Sequence, residues 1–157
     1  MEIAYVSKKC SVIVDYAHNA VRMESLLTTL RDYHPKRLVC VFGCGGNRAR
    51  DRRFQMGEAS GRLADLTVIT SDNPRDEEPQ AILDDIRTGI GKTEGAFVEI
   101  ADRKEAIRYV IENRQPGDLV VLAGKGHETY QIQKGKRYEM DERVLIREIL
   151  EESKGNV

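Results

Sequence analysis

Short β-branched apolar runs alternate with helical stretches along almost the whole chain, and that alternation limits the fold more than any other feature. Residues 11–15, 38–42, 66–70, 96–100 and 119–123 read as strands. Leu38-Val39-Cys40-Val41-Phe42 and Leu119-Val120-Val121-Leu122-Ala123 are apolar without interruption, as expected of strands covered on both faces. The spacing predicts helices over 21–33, 53–63 and 79–88; in the first, Met23, Leu26, Leu27 and Leu30 share one face. Pro79 suits a helix start. Asp102, with Glu105 at capping-box spacing, predicts a helix running to Asn113, and Asp141 predicts a last helix to about Glu152. Residues 130–138 read as a hairpin around Lys134-Gly135.

Strand and helix alternating in this way bring each strand back parallel to the one before. The expected class is α/β: a Rossmann-like, doubly wound, mostly parallel sheet with helices on both faces, in one domain over residues 1–157. No internal repeat, low-complexity stretch or long linker divides it. The 157 residues suffice for one core, and 40% apolar and 32% charged residues argue against disorder. A net charge of -1 argues against a general nucleic-acid binder. No apolar run approaches the ~20 residues that span a bilayer, and residues 1–9 do not form a signal peptide. A cytoplasmic monomer, with neither membrane nor nucleic-acid partner, is the expectation. Three cysteines without a CxxC pair argue against a disulfide framework or zinc site. Cys10 and Cys40 are expected as buried thiols, and Cys44, in a glycine loop, leaves thiol chemistry open.

In an open parallel sheet, ligands bind beyond the carboxyl ends of the strands. Four loops leave such ends, at 15–19, 43–53, 71–78 and 123–128, and each is more polar or glycine-rich than a connection needs. Ser71-Asp72-Asn73-Pro74-Arg75 offers a carboxylate, an amide and a guanidinium, with Pro74 stiffening the backbone. Asp72 suits an ammonium and Arg75 a carboxylate, so a zwitterionic ligand fits; an Asx-turn with solvated charges is the alternative. Gly124-Lys125-Gly126-His127-Glu128 adds two glycines, a second carboxylate and a histidine able to titrate near neutrality. The 43–53 loop, glycine-rich and then arginine-rich, could cradle an anion through backbone N–H groups and Arg48. Gly91-Lys92-Thr93 imitates the tail of a P-loop, but Ile86 stands where its first glycine is required, and it reads as a helix stop.

Val14-Asp15-Tyr16-Ala17-His18-Asn19 resembles the opening motif of the Mur ligase C-terminal domain. Phe42-Gly43-Cys44-Gly45-Gly46-Asn47-Arg48, Thr70-Ser71-Asp72-Asn73-Pro74-Arg75 and Ala123-Gly124-Lys125-Gly126-His127-Glu128-Thr129-Tyr130-Gln131 are similar to the versions in the UDP-N-acetylmuramyl-tripeptide synthetases, the MurE type. Asp102-Arg103-Lys104-Glu105-Ala106-Ile107 fits the same family. The resemblance implies ATP-dependent amide-bond formation: ATP phosphorylates the D-glutamyl carboxylate of UDP-MurNAc-L-Ala-D-Glu, and a diamino acid attacks the acyl phosphate. Asp-Asn-Pro-Arg is the recognition motif of the meso-diaminopimelate-adding members.

Carried over, Arg48 and Arg75 would bind the distal carboxylate of meso-diaminopimelate, Asn73 would help orient the ligand, and Pro74 belongs to the same substrate-binding set. Asp72, Glu128 and the Gly124 carbonyl would bind its distal ammonium. Asp15, His18 and Asn19 resemble nucleotide contacts, although Ala20 stands where the family usually has proline and Asn47 where it commonly has aspartate. The family's P-loop, Mg2+ ligands and carbamylated lysine lie in a central ATPase domain, preceded by a UDP-binding domain, and this sequence carries none of them. Met1-Glu2 resembles the middle of the Gly-Arg-Met-Glu junction between domains. The expectation is therefore an amino-acid-binding domain, inactive alone, with no catalytic residue or metal ligand of its own and with ATP and Mg2+ held mainly elsewhere. A stand-alone nucleotide or amino-acid binding module stays open, as does a different Mur-type ligase.

Overall fold

The structure, a computed structural model, describes residues 1–7, 10–126 and 128–155, with side chains to residue 152. His127, expected to titrate near neutrality, lies outside them. Six strands form one sheet: β1 (Glu2–Val6), β2 (Cys10–Asp15), β3 (Arg37–Phe42), β4 (Leu66–Ile69), β5 (Ala96–Glu99) and β6 (Asp118–Ala123). Their order is β1-β2-β6-β3-β4-β5, and every pairing is parallel except the antiparallel β1–β2 edge. A separate hairpin, β7 (Tyr130–Gln133) and β8 (Lys136–Glu139), turns at Lys134 and Gly135, both with positive φ as a tight two-residue turn requires.

Residue alternation assigns each strand side chain to a layer. Leu38, Cys40 and Phe42 of β3 and Leu119, Val121 and Ala123 of β6 pack with α1 (Ala20–Arg31), α2 (Asp51–Leu63) and α3 (Pro79–Ile90). Val39, Val41, Val120 and Leu122 face the other way, toward α4 (Arg103–Glu112) and α5 (Glu142–Gly155). The uninterrupted apolar runs are thus central strands buried on both faces, and the doubly wound expectation is met. Met23, Leu26, Leu27 and Leu30 form the buried face of α1, and Asp102 caps α4 through Lys104 and Glu105 N–H. No helix among the described residues is long and apolar enough to cross a membrane.

Two features depart from expectation. Strand β1 was not foreseen, because it is an edge strand: Ile3 and Val6 are exposed, and a register shift between Ile3 and Tyr5 blurs the alternation. Helix α2 begins at Asp51, two residues before the apolar period that marks it. Gly89, two residues before the P-loop imitation, has a packing role. A Cβ at Gly57 of α2 would fall on the Ile86 carbonyl oxygen, and one at Gly89 of α3 on that of Phe54, so paired glycines let the two helices touch along their backbones. Thr93 then ends the helix, its hydroxyl donating to the Ile90 carbonyl and accepting from Gly95 N–H.

Candidate functional site

Beyond the carboxyl ends of β2, β6, β3 and β4 lies a cleft of about 350 Å³. It is lined by Tyr16 and His18 after β2, Gly43, Gly45, Arg48 and Arg52 after β3, Asp72, Asn73 and Arg75 after β4, and Gly124 and Glu128 after β6. Four loops distant in sequence meet there because their strands are neighbours in the sheet. Gly43 permits the approach of two of them: a Cβ would strike the Thr70 carbonyl oxygen.

Two buried cations organise the loops. Arg103 is 1% exposed and sits behind the cleft. It donates from Nη1 to the Ser71 carbonyl, from Nη2 to the Ala123 carbonyl and from Nε to Glu142, so it ties the root of the 71–78 loop to that of the 124–128 loop. Lys125, fully buried, points its ammonium between the same loops near their tips. Its Nζ donates to Asn73 Oδ1 at 3.0 Å and stands 3.6 Å from both Asp72 Oδ1 and Glu128 Oε1. Burial holds that ammonium below its ordinary pKa, against the attraction of Asp72. Neither residue was singled out from sequence, since a basic residue in a polar loop gives no sign that it will be buried.

Asn73 is more a strut than a ligand group: its Oδ1 accepts from Lys125 and from Ile132 N–H of β7, joining both loops to the hairpin. Arg75 stands at φ 53, a left-handed conformation that costs a non-glycine residue about 1–2 kcal/mol. The hairpin holds it there, through Arg75 N–H to the Ile132 carbonyl and Lys134 N–H to the Arg75 carbonyl. Its Nη1 donates to the Gly46 carbonyl at 3.1 Å, and Gly45 leaves room for this guanidinium, where a Cβ would come within 2.7 Å of Nη1. Pro74 lines a different cavity, behind the loop, and so shapes the cleft only through the backbone. Glu128 sits close enough to Tyr16 to push its phenol pKa up.

The arginines after β3 divide in two. Arg48 and Arg52 line the cleft. Arg50 and Arg53 instead pair with Asp85, and Arg53 also with Glu77, pinning the glycine loop to α3. This division removes the basic patch that a nucleic-acid reading would need. Arg53 holds Glu77, and Arg50 holds Asp85, below the usual carboxylate range. A carboxylate with a lowered folded pKa stabilises the fold above its unfolded value, and that stability is lost as pH falls through the folded one. The urea midpoint should therefore stay flat from neutral pH until about pH 4 and then drop. In a Glu77→Gln/Asp85→Asn variant, lower in stability at neutral pH, the acid drop should shrink.

Cys44 touches the cleft but is buried against Met56 Sδ at 3.7 Å, and burial pushes its thiol up to about 12. Buried and raised in this way, the thiol gives thiolate chemistry no support. Cys10 and Cys40 are buried as expected, with pKa values pushed up to about 11 and about 12.

A neighbouring cavity of about 530 Å³, sharing Tyr16 and His18, is lined by Asp15, Arg22, Ser25 and Thr29. Asp15 accepts from Ala17 N–H, and His18 Nδ1 is 3.0 Å from the Tyr16 carbonyl. Asn19 does not line it; its side-chain oxygen caps α1 by accepting from Arg22 N–H.

The family model for the "Mur ligase, glutamate ligase domain" matches residues 1–126. A UDP-N-acetylmuramoyl-L-alanyl-D-glutamate--2,6-diaminopimelate ligase of Syntrophomonas wolfei is 50% identical over 141 residues, 89% of this chain and 29% of that protein. A protein of the same name from Trichormus variabilis is 52% identical over 142 residues, 90% of this chain and 28% of the relative. A solved structure bearing that name superposes with a TM-score of 0.91 at 39% identity, covering 98% of this chain and 31% of the other. The chain therefore spans about three tenths of the length of the relatives it matches.

Proposed function

The chain belongs to the Mur ligase family, matching its glutamate ligase domain, and we propose that it is the amino-acid-binding domain of an ATP-dependent ligase that joins meso-diaminopimelate to UDP-MurNAc-L-Ala-D-Glu. One observation carries this reading: the Arg75 guanidinium and the Asp72 and Glu128 carboxylates line one small cleft, with Arg48 and Arg52 beside them. Opposite charges at that spacing suit the zwitterionic end of a diamino diacid. Arg75 and Arg48 take the distal carboxylate, Asp72 and Glu128 the ammonium, and the other amine is left to react. The names of the relatives support the choice of amino acid.

On this reading a UDP-binding domain and a central ATPase domain complete the enzyme and activate the acceptor. Asp15 and His18 face the nucleotide from the adjoining cavity, while Asn19 acts on it only by fixing the start of α1. On the same reading, Mg2+ is held mainly by the central domain. The acceptor and ATP both place the reaction in the bacterial cytosol.

The test is a substrate competition. The full-length ligase containing this domain should add meso-diaminopimelate and select against lysine by roughly 10⁴-fold in kcat/KM, because lysine leaves the arginines unpaired. The 157-residue chain alone should hydrolyse no ATP. Efficient lysine addition would sink the specificity, and ATP turnover by the isolated chain would sink the domain assignment.

A further inference from the structure

Two carboxylates from different loops, Asp72 and Glu128, converge on one cleft. Like charges so placed repel. The Lys125 ammonium stands 3.6 Å from an oxygen of each and offsets that repulsion. The lysine does not line the cleft: it approaches from behind, wholly buried, hydrogen-bonded to Asn73 Oδ1 and 5.9 Å from the Tyr130 ring centroid. Asn73 also accepts from Ile132, so the same ammonium is joined to the hairpin that holds Arg75.

We propose that Lys125 is the positioning residue of the amino-acid site, a built-in counter-ion that holds the Asp72 and Glu128 carboxylates in place from behind and offsets one of their two charges, leaving one net negative charge for one substrate ammonium. This rests on the diaminopimelate reading above. The charge count is direct: two carboxylates and one ammonium give a trio of charge -1, which matches a single protonated amine. Without Lys125 the pair carries -2, with no buried cation to hold its two members in place. Among the described residues, the other charged or titratable groups facing the trio include Arg103 and Glu142 from α4 and α5, Tyr16, His18, Arg48, Arg52 and Arg75 on the cleft, Cys44 of the glycine loop and Tyr130 of β7.

The experiment uses the full-length ligase with Lys125→Met and Lys125→Gln; the second variant keeps a donor for Asn73 but no charge. Expected in both is a KM for meso-diaminopimelate raised at least about tenfold, with KM for ATP and for the UDP-linked acceptor within about twofold of wild type. A folded variant with unchanged KM for the amino acid overturns the proposal. So does failure of both variants to fold, which would make Lys125 a folding residue only. A wild-type enzyme that ignores diaminopimelate refutes the diaminopimelate reading instead, whatever the variants do.

Discussion

Arg75→Ala in the full-length ligase is expected to lower kcat/KM for meso-diaminopimelate by roughly 10²–10³-fold while leaving the little lysine addition that exists almost unchanged. Truncating one partner of a desolvated charge pair costs about 2–5 kcal/mol, and 1.4 kcal/mol is about a factor of ten. The middle of that range applies and not its top, because Arg48 and Arg52 remain beside the cleft to meet the substrate carboxylate. Arg75→Lys should recover little. A point charge cannot reproduce a two-pronged contact, and the guanidinium also bonds the Gly46 carbonyl at the tip of the glycine loop. Competition kinetics with the two amino acids would decide the matter, and equal losses toward both substrates would show that Arg75 acts on the fold and not on recognition.

Arg103→Met should have the largest effect on stability, about 3–5 kcal/mol in urea denaturation, because it leaves the wholly buried Glu142 carboxylate without its counter-ion. Glu142 Oε1 already has no hydrogen-bond partner, so nothing nearby can compensate. At about 2–4 °C per kcal/mol for a domain of this size, Tm should fall by about 10 °C. The change also frees the Ser71 and Ala123 carbonyls, so the two loops of the cleft lose their common anchor. An Arg103→Met/Glu142→Leu double variant should recover much of the stability, since a neutral buried pair no longer strands a charge. The loops would remain untied, and amino-acid binding should stay impaired in a variant whose Tm is restored.

Much of the architecture was legible because it depends on local pattern. The continuous runs of β3 and β6, the Met23-Leu26-Leu27-Leu30 face of α1 and the Asp102 cap each declare themselves within one or two turns of chain. Strand β1 does not, because in this edge strand only Ala4 and Tyr5, two consecutive residues, are partly buried, and a register shift beside them breaks the hydropathy alternation. The motif loops were also legible, since glycine, proline and paired charges directly after apolar strands exceed what turns require.

What the one-dimensional chain determined is the set of strands and helices, their parallel winding, and the chemical identity of the groups at the strand ends. Only the tertiary structure decided which of those groups are free to meet a ligand. Asn73 became a strut, Arg50 and Arg53 became ties to α3, and Arg48, Arg52 and Arg75 were left lining the cleft. In Asp72-Asn73-Pro74-Arg75, the asparagine joins Lys125 to the hairpin and the proline faces away from the cleft. Lys125 and Arg103 were invisible as site residues, although they bind the loops together from behind. The physical reason is that a charged side chain reads as solvated until its partners are known. Here those partners, Asp72 and Glu128 for one and Ser71, Ala123 and Glu142 for the other, include groups dozens of residues away that only the packed sheet brings within reach.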